Sequence, residues 1–497
     1  MISPRRILKN TTFLTVAFVT RKVIHLVAFS LIARYTGVQT TGLYFLLLSF
    51  AALFTSLMDF GLTPAMIREA SKAPERLHDY LGNVLGLKVF LCVAASAAGF
   101  GLIHLLDYPD LTQRLVYLTT IYIVLDSLAD TFYGCLRVHH RMEFEAKGMV
   151  VSHFLILLIS SFVVFFQLNI YGLVFALIMG GLYNLIYSLF CTLRVLHLKL
   201  NLYFDHSVVK QLVSIAIPIL GAAAFSKLLF IDTFLLSYLT DETVLGWFSV
   251  PSTLVQSFMF IPMAVTMAIY PALSSFHIHS PERLIETFER SVQILMIFII
   301  PAAIGMAVLA PGIIRFFFGI SYGPSVLPFR ILTFSLIPIF FNGPMSVLLD
   351  ACHRQVSNSF LMAVAAILHL GLALTFIPNY QAVGIAWAAV FGHTAFFVLG
   401  IFAVRGILAG ALKRCLTDMA VIFVAAGLMG LAVFGLRNIF HFIVLIPVGI
   451  AAYAVLFFLI TRLAKRYLGR KTFHFIGSPF MRMPPKKGED LVECRTP

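Results

Sequence analysis

The sequence predicts an all-α membrane protein with about 14 transmembrane helices: two six-helix pseudo-repeated lobes followed by two C-terminal helices. Three observations predict it. The composition is too apolar for water, apolar runs long enough to span a bilayer recur from end to end, and short motifs repeat at a separation of 204 to 213 residues.

Of the 497 residues, 60% are hydrophobic and 12% charged, with a mean hydropathy of +0.95. Soluble domains carry roughly 25% charged residues, so this chain has half the usual means of facing water. A bilayer core about 30 Å thick is crossed by about 20 apolar residues at 1.5 Å each. Runs of that length, bounded by polar or turn-forming breaks, place spans at 10–33, 41–59, 81–106, 115–136, 149–167, 170–193, 211–238, 246–274, 291–314, 331–349, 357–377, 383–404, 415–436 and 439–461. The start, MISPRRILKN, is basic like a signal peptide. The apolar segment after it is interrupted by Arg21 and Lys22 and has no small-residue cleavage site before them, so a retained first helix is expected.

Charge orients the spans. With the N-terminus inside, 27 of the 36 Lys and Arg residues fall in inside segments, 5 in outside loops and 4 within spans. Cytoplasmic loops carry such an excess, so both termini are expected in the cytoplasm. The net charge of +14 is then an orientation signal plus a basic tail that suits anionic headgroups. It needs no nucleic acid. The longest outside loop, about 16 residues (315–330), leaves no room for an extramembrane catalytic domain. Six scattered cysteines show neither CxxC nor Cys/His ligand spacing. There is no GxGxxG, Walker loop or Ser/His/Asp arrangement. No enzyme activity, metal or cofactor is expected.

Thr36-x5-Gly42-Leu-Tyr after the first span resembles Thr240-x5-Gly246-Trp-Phe after the seventh. Leu136-x3-His140-Arg141 resembles Leu349-x3-His353-Arg354, and Gly172-x3-Ala176-x3-Gly180 resembles Gly384-x3-Ala388-x3-Gly392. Three matches in order, each in the same place within its half, predict an N-lobe (1–205), a C-lobe (206–408), two further helices (409–461) and a basic tail (462–497). Six spans is an even number, so the halves form a parallel repeat, one recurring plan of secondary transporters. Four prolines (Pro4, Pro64, Pro74, Pro109) precede residue 205 and seventeen follow it. Proline kinks helices, so bending is expected in the second half.

An ionisable group at the bilayer centre costs roughly 2.5–3.5 kcal/mol by insertion scales, which makes each one a functional candidate. Arg21 and Lys22 lie at the midpoint of the first span, with His25 a surface neighbour of both. Lys227 holds the matching place in the seventh span. Cations where two lobes meet predict a cavity for an anion; the alternative is that they neutralise buried carboxylates. Lys88 is a further candidate, although it is close enough to the inner end of its span to snorkel. Asp126 and Asp130, one turn apart on the fourth span, and Asp232 on the seventh are candidates for coupling to H+ or Na+, or else static counter-ions. Asp59 and Asp350 are expected to be solvated. His153, His369 and His393 stand alone on apolar spans and are expected to pack.

The run Leu31-Ile-Ala-Arg-Tyr-Thr-Gly37 through Gly42-Leu-Tyr, then Asp59-Phe-Gly-Leu62 and Ile67-Arg-Glu-Ala70, resembles the opening of polysaccharide flippases. Tyr133-Gly-Cys-Leu-Arg137 leading to Arg141-Met-Glu-Phe-Glu-Ala146 resembles them too. These are the Wzx-type O-antigen (lipid-linked oligosaccharide) flippases of the multidrug/oligosaccharidyl-lipid/polysaccharide exporter superfamily, and the resemblance runs through the whole chain. It implies a two-lobed transporter working by alternating access on an undecaprenyl-diphosphate-linked oligosaccharide, with the diphosphate meeting Arg21, Lys22 and Lys227 and the prenyl tail kept in lipid. Polysaccharide polymerase machinery is an implied partner. Two other readings stay open: a drug or metabolite/cation antiporter of the same superfamily, whose cavity should be dominated by acidic groups, and a membrane-embedded polymerase or ligase, which would need a larger external loop.

Overall fold

A computed structural model describes residues 4–197, 204–227, 231–408 and 410–468, with side chains over 13–197, 204–217, 231–408 and 410–463. Helices account for nearly all of it, and no strand occurs among the described residues. In hydrocarbon the backbone has no water to bond, and a helix satisfies its own N–H and C=O groups. The helices are α1 (Pro4–Thr36), α2 (Val38–Asp59), α3 (Leu62–Ala70), α4 (Leu77–Leu105), α5 (Asp110–Val138), α6 (Met142–Phe165), α7 (Ile170–Val195) and α8 (His206–Lys227). They continue as α9 (Ile231–Leu239), α10 (Glu242–Gln256), α11 (Phe260–His279), α12 (Pro281–Phe318), α13 (Val326–Ala351), α14 (Gln355–Leu408), α15 (Ala411–Leu436) and α16 (Phe442–Leu468).

Twelve stretches of described helix are long and apolar enough to cross a membrane, against fourteen expected spans. The difference has two sources. The seventh expected span lies in α8 and α9, on either side of residues 228–230, which are outside the described residues. The eleventh and twelfth are both within α14, which turns at Gln381 (φ 50°, ψ −126°). A Cβ on Gly392 would lie 2.7 Å from His369 Cβ, so the second arm of α14 packs back on the first. In the first half, a Cβ on Gly180 of α7 would lie 2.4 Å from Ile156 of α6. Both are the last glycines of the repeated Gly-x3-Ala-x3-Gly motif.

The Leu-x3-His-Arg matches also close two helices in one way. His140 (φ 55°) and His353 (φ 57°) are left-handed. Arg141 N–H donates to Leu136 C=O at 2.9 Å, and Arg354 N–H to Leu349 C=O at 2.8 Å. This is the bond from C″ back to C3 that ends a helix in a Schellman motif.

Prolines lie inside helices after residue 205, at Pro251, Pro271, Pro301, Pro311, Pro338, Pro344, Pro378 and Pro447. The α15 helix is tied to α12 by two polar contacts one turn apart: Arg414 Nε donates to Glu289 Oε1 at 2.7 Å, and Gln293 Nε2 to Asp418 Oδ2 at 2.6 Å. Tyr453 of α16 donates to the Ile297 carbonyl at 3.1 Å. The last two helices therefore ride on the second half.

The two halves join at the end of α1 that carries Gly37. Helices α2 and α10 run against each other there. The hydroxyl of Tyr322, fully buried, lies 3.0 Å from the Ala33 carbonyl and 2.9 Å from Thr41 Oγ1, two acceptors for its one hydrogen. Arg34 donates to the Phe316 carbonyl at 2.6 Å, and Gln39 Nε2 to Glu242 Oε2 at 2.8 Å. At the other end α8 crosses to the first half, with Gln211 Nε2 donating to Glu69 Oε2 at 3.0 Å and Asp205 N–H to Asn83 Oδ1 at 2.7 Å.

Candidate functional site

Below the Gly37 seal, the inner faces of α1, α2, α5, α6 and α7 and the last turn of α10 enclose a cavity of about 410 Å³. Its apolar wall includes Phe29, Phe45 and Ile156, and its polar wall includes Thr55, Ser56 and Gln256. Arg21, Lys22 and His25 enter it from α1. The three are close neighbours on one helix, since residues three and four apart share a face. Arg21 is fifteen residues before the last residue of α1, about 22 Å at 1.5 Å per residue, well inside the bilayer thickness.

Neither Arg21 nor Lys22 has a carboxylate within ion-pair distance or a hydrogen bond among the described residues. Arg21 instead lies over the Phe18 ring, 5.6 Å from its centroid. His25 stacks on Phe29 at 6.3 Å. Asp126 lines the same cavity from α5. Its carboxylate is held from behind: Asn184 Nδ2 donates to Asp126 Oδ1 at 3.2 Å, and Tyr133 donates to Asn184 Oδ1 at 2.7 Å. Gly148 makes room for that tyrosine, since a Cβ there would lie 1.9 Å from its hydroxyl. The site thus presents two fixed cations and one tethered carboxylate.

The remaining sequence candidates go elsewhere. Lys88, expected at the cavity, is fully buried between helices. Its ammonium donates to Asp59 Oδ1 at 2.8 Å, Thr63 Oγ1 at 3.1 Å and Thr131 Oγ1 at 2.7 Å. An ammonium has three donors, so Lys88 has none left for a ligand, and Asp59 is its counter-ion rather than a solvated end group. Asp130 accepts from Arg137 Nη2 at 2.8 Å, in a cluster where Glu145 also grips Arg137 at 2.6 and 2.9 Å. It does not line the cavity. Asp232 is likewise off the cavity, against His369 Nε2 at 2.5 Å. Asp350 accepts from Asn358 Nδ2 at 3.0 Å. The Lys227 side chain lies outside the described residues.

Two histidines expected to pack do more. His153 lines the cavity from α6, its Nδ1 3.0 Å from the Met149 carbonyl, and His369 is the partner of Asp232. Sequence reasoning also passed over Tyr122, Asn184 and Gln256. Nothing local marks His153 as a cavity residue, because which helix α1 packs on is a tertiary fact.

A family model described as "Polysaccharide biosynthesis protein" matches residues 7–277. A candidate O-antigen transporter of Shigella flexneri is 21% identical over 405 residues, 77% of this chain and 94% of the relative. Among solved structures, the lipid II flippase MurJ in an inward closed conformation superposes with a TM-score of 0.77 over 92% of this chain and 99% of its own, at 15% identity. An inward-facing multidrug resistance MATE family transporter of the MOP superfamily superposes with a TM-score of 0.64 over 80% of this chain and 99% of its own, at 14% identity.

Proposed function

Because the chain belongs to the polysaccharide biosynthesis protein family and is a multi-pass membrane transporter with a flippase-like fold, not an enzyme, we propose that it carries a lipid-linked oligosaccharide diphosphate from the cytoplasmic to the outer leaflet. One observation carries this reading. Arg21 and Lys22 face a cavity of about 410 Å³ at bilayer depth with no ion pair among the described residues. Two cations facing a single carboxylate at that depth are costly, and a diphosphate entering between the halves offsets the cost. A guanidinium grips phosphate oxygens in bidentate fashion and an ammonium acts as a point charge, so the pair suits this headgroup. The lipid tail stays in the bilayer while the sugars follow the wet path.

The positive-inside charge bias puts the Gly37 seal on the outer side, so the described state is closed outward. Transport then requires that seal to part while the cavity closes inward. An ion gradient supplies the drive, with the tethered Asp126 a counter-charge that substrate phosphate replaces beside Arg21. The site, with two fixed cations to one carboxylate, favours an anion over the organic cation of a drug antiporter.

Removing both charges, Arg21→Ala with Lys22→Ala, lowers polymer export at least about tenfold, the factor that each 1.4 kcal/mol of lost contact carries, while the protein reaches the membrane at normal abundance. Normal export by that variant overturns the anion site. Retained uptake or export of organic cations by the native chain would favour the antiporter instead.

A further inference from the structure

Much of the cavity's polar wall has its hydrogens turned back into the protein. Thr55 Oγ1, on α2, donates to the Ala51 carbonyl at 2.7 Å, and Ser56 Oγ donates to the Ala52 carbonyl at 3.4 Å. Across the seam, Ser257, the residue after α10, donates to the Thr253 carbonyl at 2.8 Å. Gln256 Nε2 donates to Ser252 Oγ at 3.0 Å, and Ser49 Oγ to Thr233 Oγ1 at 3.1 Å. His153 follows the same rule. A carbonyl only accepts, so Nδ1, 3.0 Å from the Met149 carbonyl, carries its hydrogen. All six of these side chains line the cavity.

What each group has left is a lone pair. A Ser or Thr hydroxyl bonded back to its own helix has spent its one hydrogen and keeps its acceptor capacity. Gln256 keeps Oε1, and a neutral His153 ring keeps an unprotonated Nε2. The hydroxyls of Tyr44, Tyr122 and Thr253 complete the wall and can turn either way. The cavity is therefore divided. Its charged donors come from Arg21 and Lys22 on α1, and its acceptors from α2, α6 and the end of α10. Thr55 is seventeen residues past Val38, the start of α2, about 26 Å from the Gly37 end at 1.5 Å per residue. Arg21 is about 22 Å from that same end by the same rise. The wall thus stands nearly level with the cations.

We infer that this wall is a sugar subsite, which takes the saccharide joined to the diphosphate and selects it by its free hydroxyl hydrogens. The inference rests on the transporter reading and deepens it by assigning separate parts of the cavity to separate parts of the cargo. Phosphate oxygens bring acceptors, and Arg21 and Lys22 match them. A sugar ring brings several O–H donors on one rigid frame, and a wall of lone pairs matches those. Water can donate there too, but one preorganised ring replaces several separately held waters. Acceptors left without a donor are costly, so a site of this kind rejects an analogue that lacks the hydroxyl hydrogen. Thr55 and Ser56 belong to the first half and Gln256 and Ser257 to the second. A sugar that touches both spans the seam that transport must move.

The test measures binding to the full-length chain in lipid nanodiscs by calorimetry. The probes are polyprenyl diphosphate alone, the same lipid carrying one glucose, one galactose or the 2-acetamido form of either, and each of these with its sugar hydroxyls replaced by fluorine. Fluorine roughly fills the place of a hydroxyl and cannot donate. At least one sugar-bearing probe is expected to bind about tenfold tighter than the plain lipid, a step of 1.4 kcal/mol, and fluorination is expected to remove the gain. Thr55→Val/Ser56→Ala/Ser257→Ala should bring every probe to the affinity of the plain lipid, whose binding also reports that the variant is folded. No gain with any sugar in the native chain, or a gain that survives fluorination or the triple variant, overturns the inference. If the triple variant binds no probe, the fluorinated series on the native chain decides alone. Arg21→Ala/Lys22→Ala should weaken plain and sugar-bearing lipids by the same factor. If it weakens neither, the diphosphate site fails, and the sugar subsite is judged by the ratio between probes alone.

Discussion

Gly42 of α2 and Gly246 of α10 meet across the seam between the halves in a reciprocal contact. A Cβ on Gly42 would lie 2.0 Å from the Glu242 carbonyl oxygen, and a Cβ on Gly246 would lie 2.1 Å from the Val38 carbonyl oxygen. The spacing from 38 to 242 and from 42 to 246 is the same 204 residues. Each glycine therefore touches the counterpart of the residue that touches the other, the relation a two-fold axis produces. Small residues let membrane helices approach backbone to backbone, and here they do so at the Gly37 end of the cavity.

Adding one methyl at this seam is expected to favour the state in which the halves are parted. No side-chain rotation relieves a clash with a carbonyl oxygen, and overpacking costs typically about 1–3 kcal/mol. Gly42→Ala and Gly246→Ala should each shift the population toward the outward-parted state, read as a longer label distance between the Gly37 ends of the halves. Because both changes strain one contact, the double variant should cost less than the sum. An unshifted distance in both single variants would mean that the seal does not depend on this approach.

Asp126 is expected to tune release more than capture. It shares the cavity with Arg21 and Lys22, and Asn184 holds it in place. Asp126→Asn leaves the cations without a resident counter-charge, so a prenyl diphosphate should bind several-fold tighter, each tenfold being 1.4 kcal/mol, and turn over more slowly. Asn184→Ala, which frees the carboxylate, should change affinity less than Asp126→Asn does. Binding measured by calorimetry together with export decides it: unchanged affinity in Asp126→Asn removes the carboxylate from the site.

How much of this was legible in the sequence follows from where each interaction lives along the chain. Span lengths, the left-handed closures at His140 and His353, and the Gly42/Gly246 correspondence are local or periodic, and the sequence carries them directly. Arg21, Lys22 and His25 cluster on one helix, so their shared face could be read from spacing alone. Lys88 could not be resolved that way. Its partners Asp59, Thr63 and Thr131 come from α2, α3 and α5, and a buried lysine with three acceptors looks in sequence like one facing a cavity. His369 looked solitary for the same reason, its carboxylate being 137 residues away.

Lys88 yields the last prediction, because its role is structural and its loss should look unlike the loss of a cavity cation. Removing one member of a buried ion pair leaves the other charge uncompensated, at about 3–5 kcal/mol, whereas replacing both with apolar groups is often nearly neutral. Lys88→Met should therefore strip the protein from the membrane or lower its thermal stability strongly, leaving Asp59 and the hydroxyls of Thr63 and Thr131 without their donor. Adding Asp59→Leu should recover most of that stability and, with it, polymer export, since neither residue lines the cavity. Arg21→Ala/Lys22→Ala should show the opposite pattern, with normal stability and export lowered at least about tenfold. A Lys88→Met protein of native stability that fails only in export would place Lys88 on the transport path after all, and a double variant that regains stability without export would do the same.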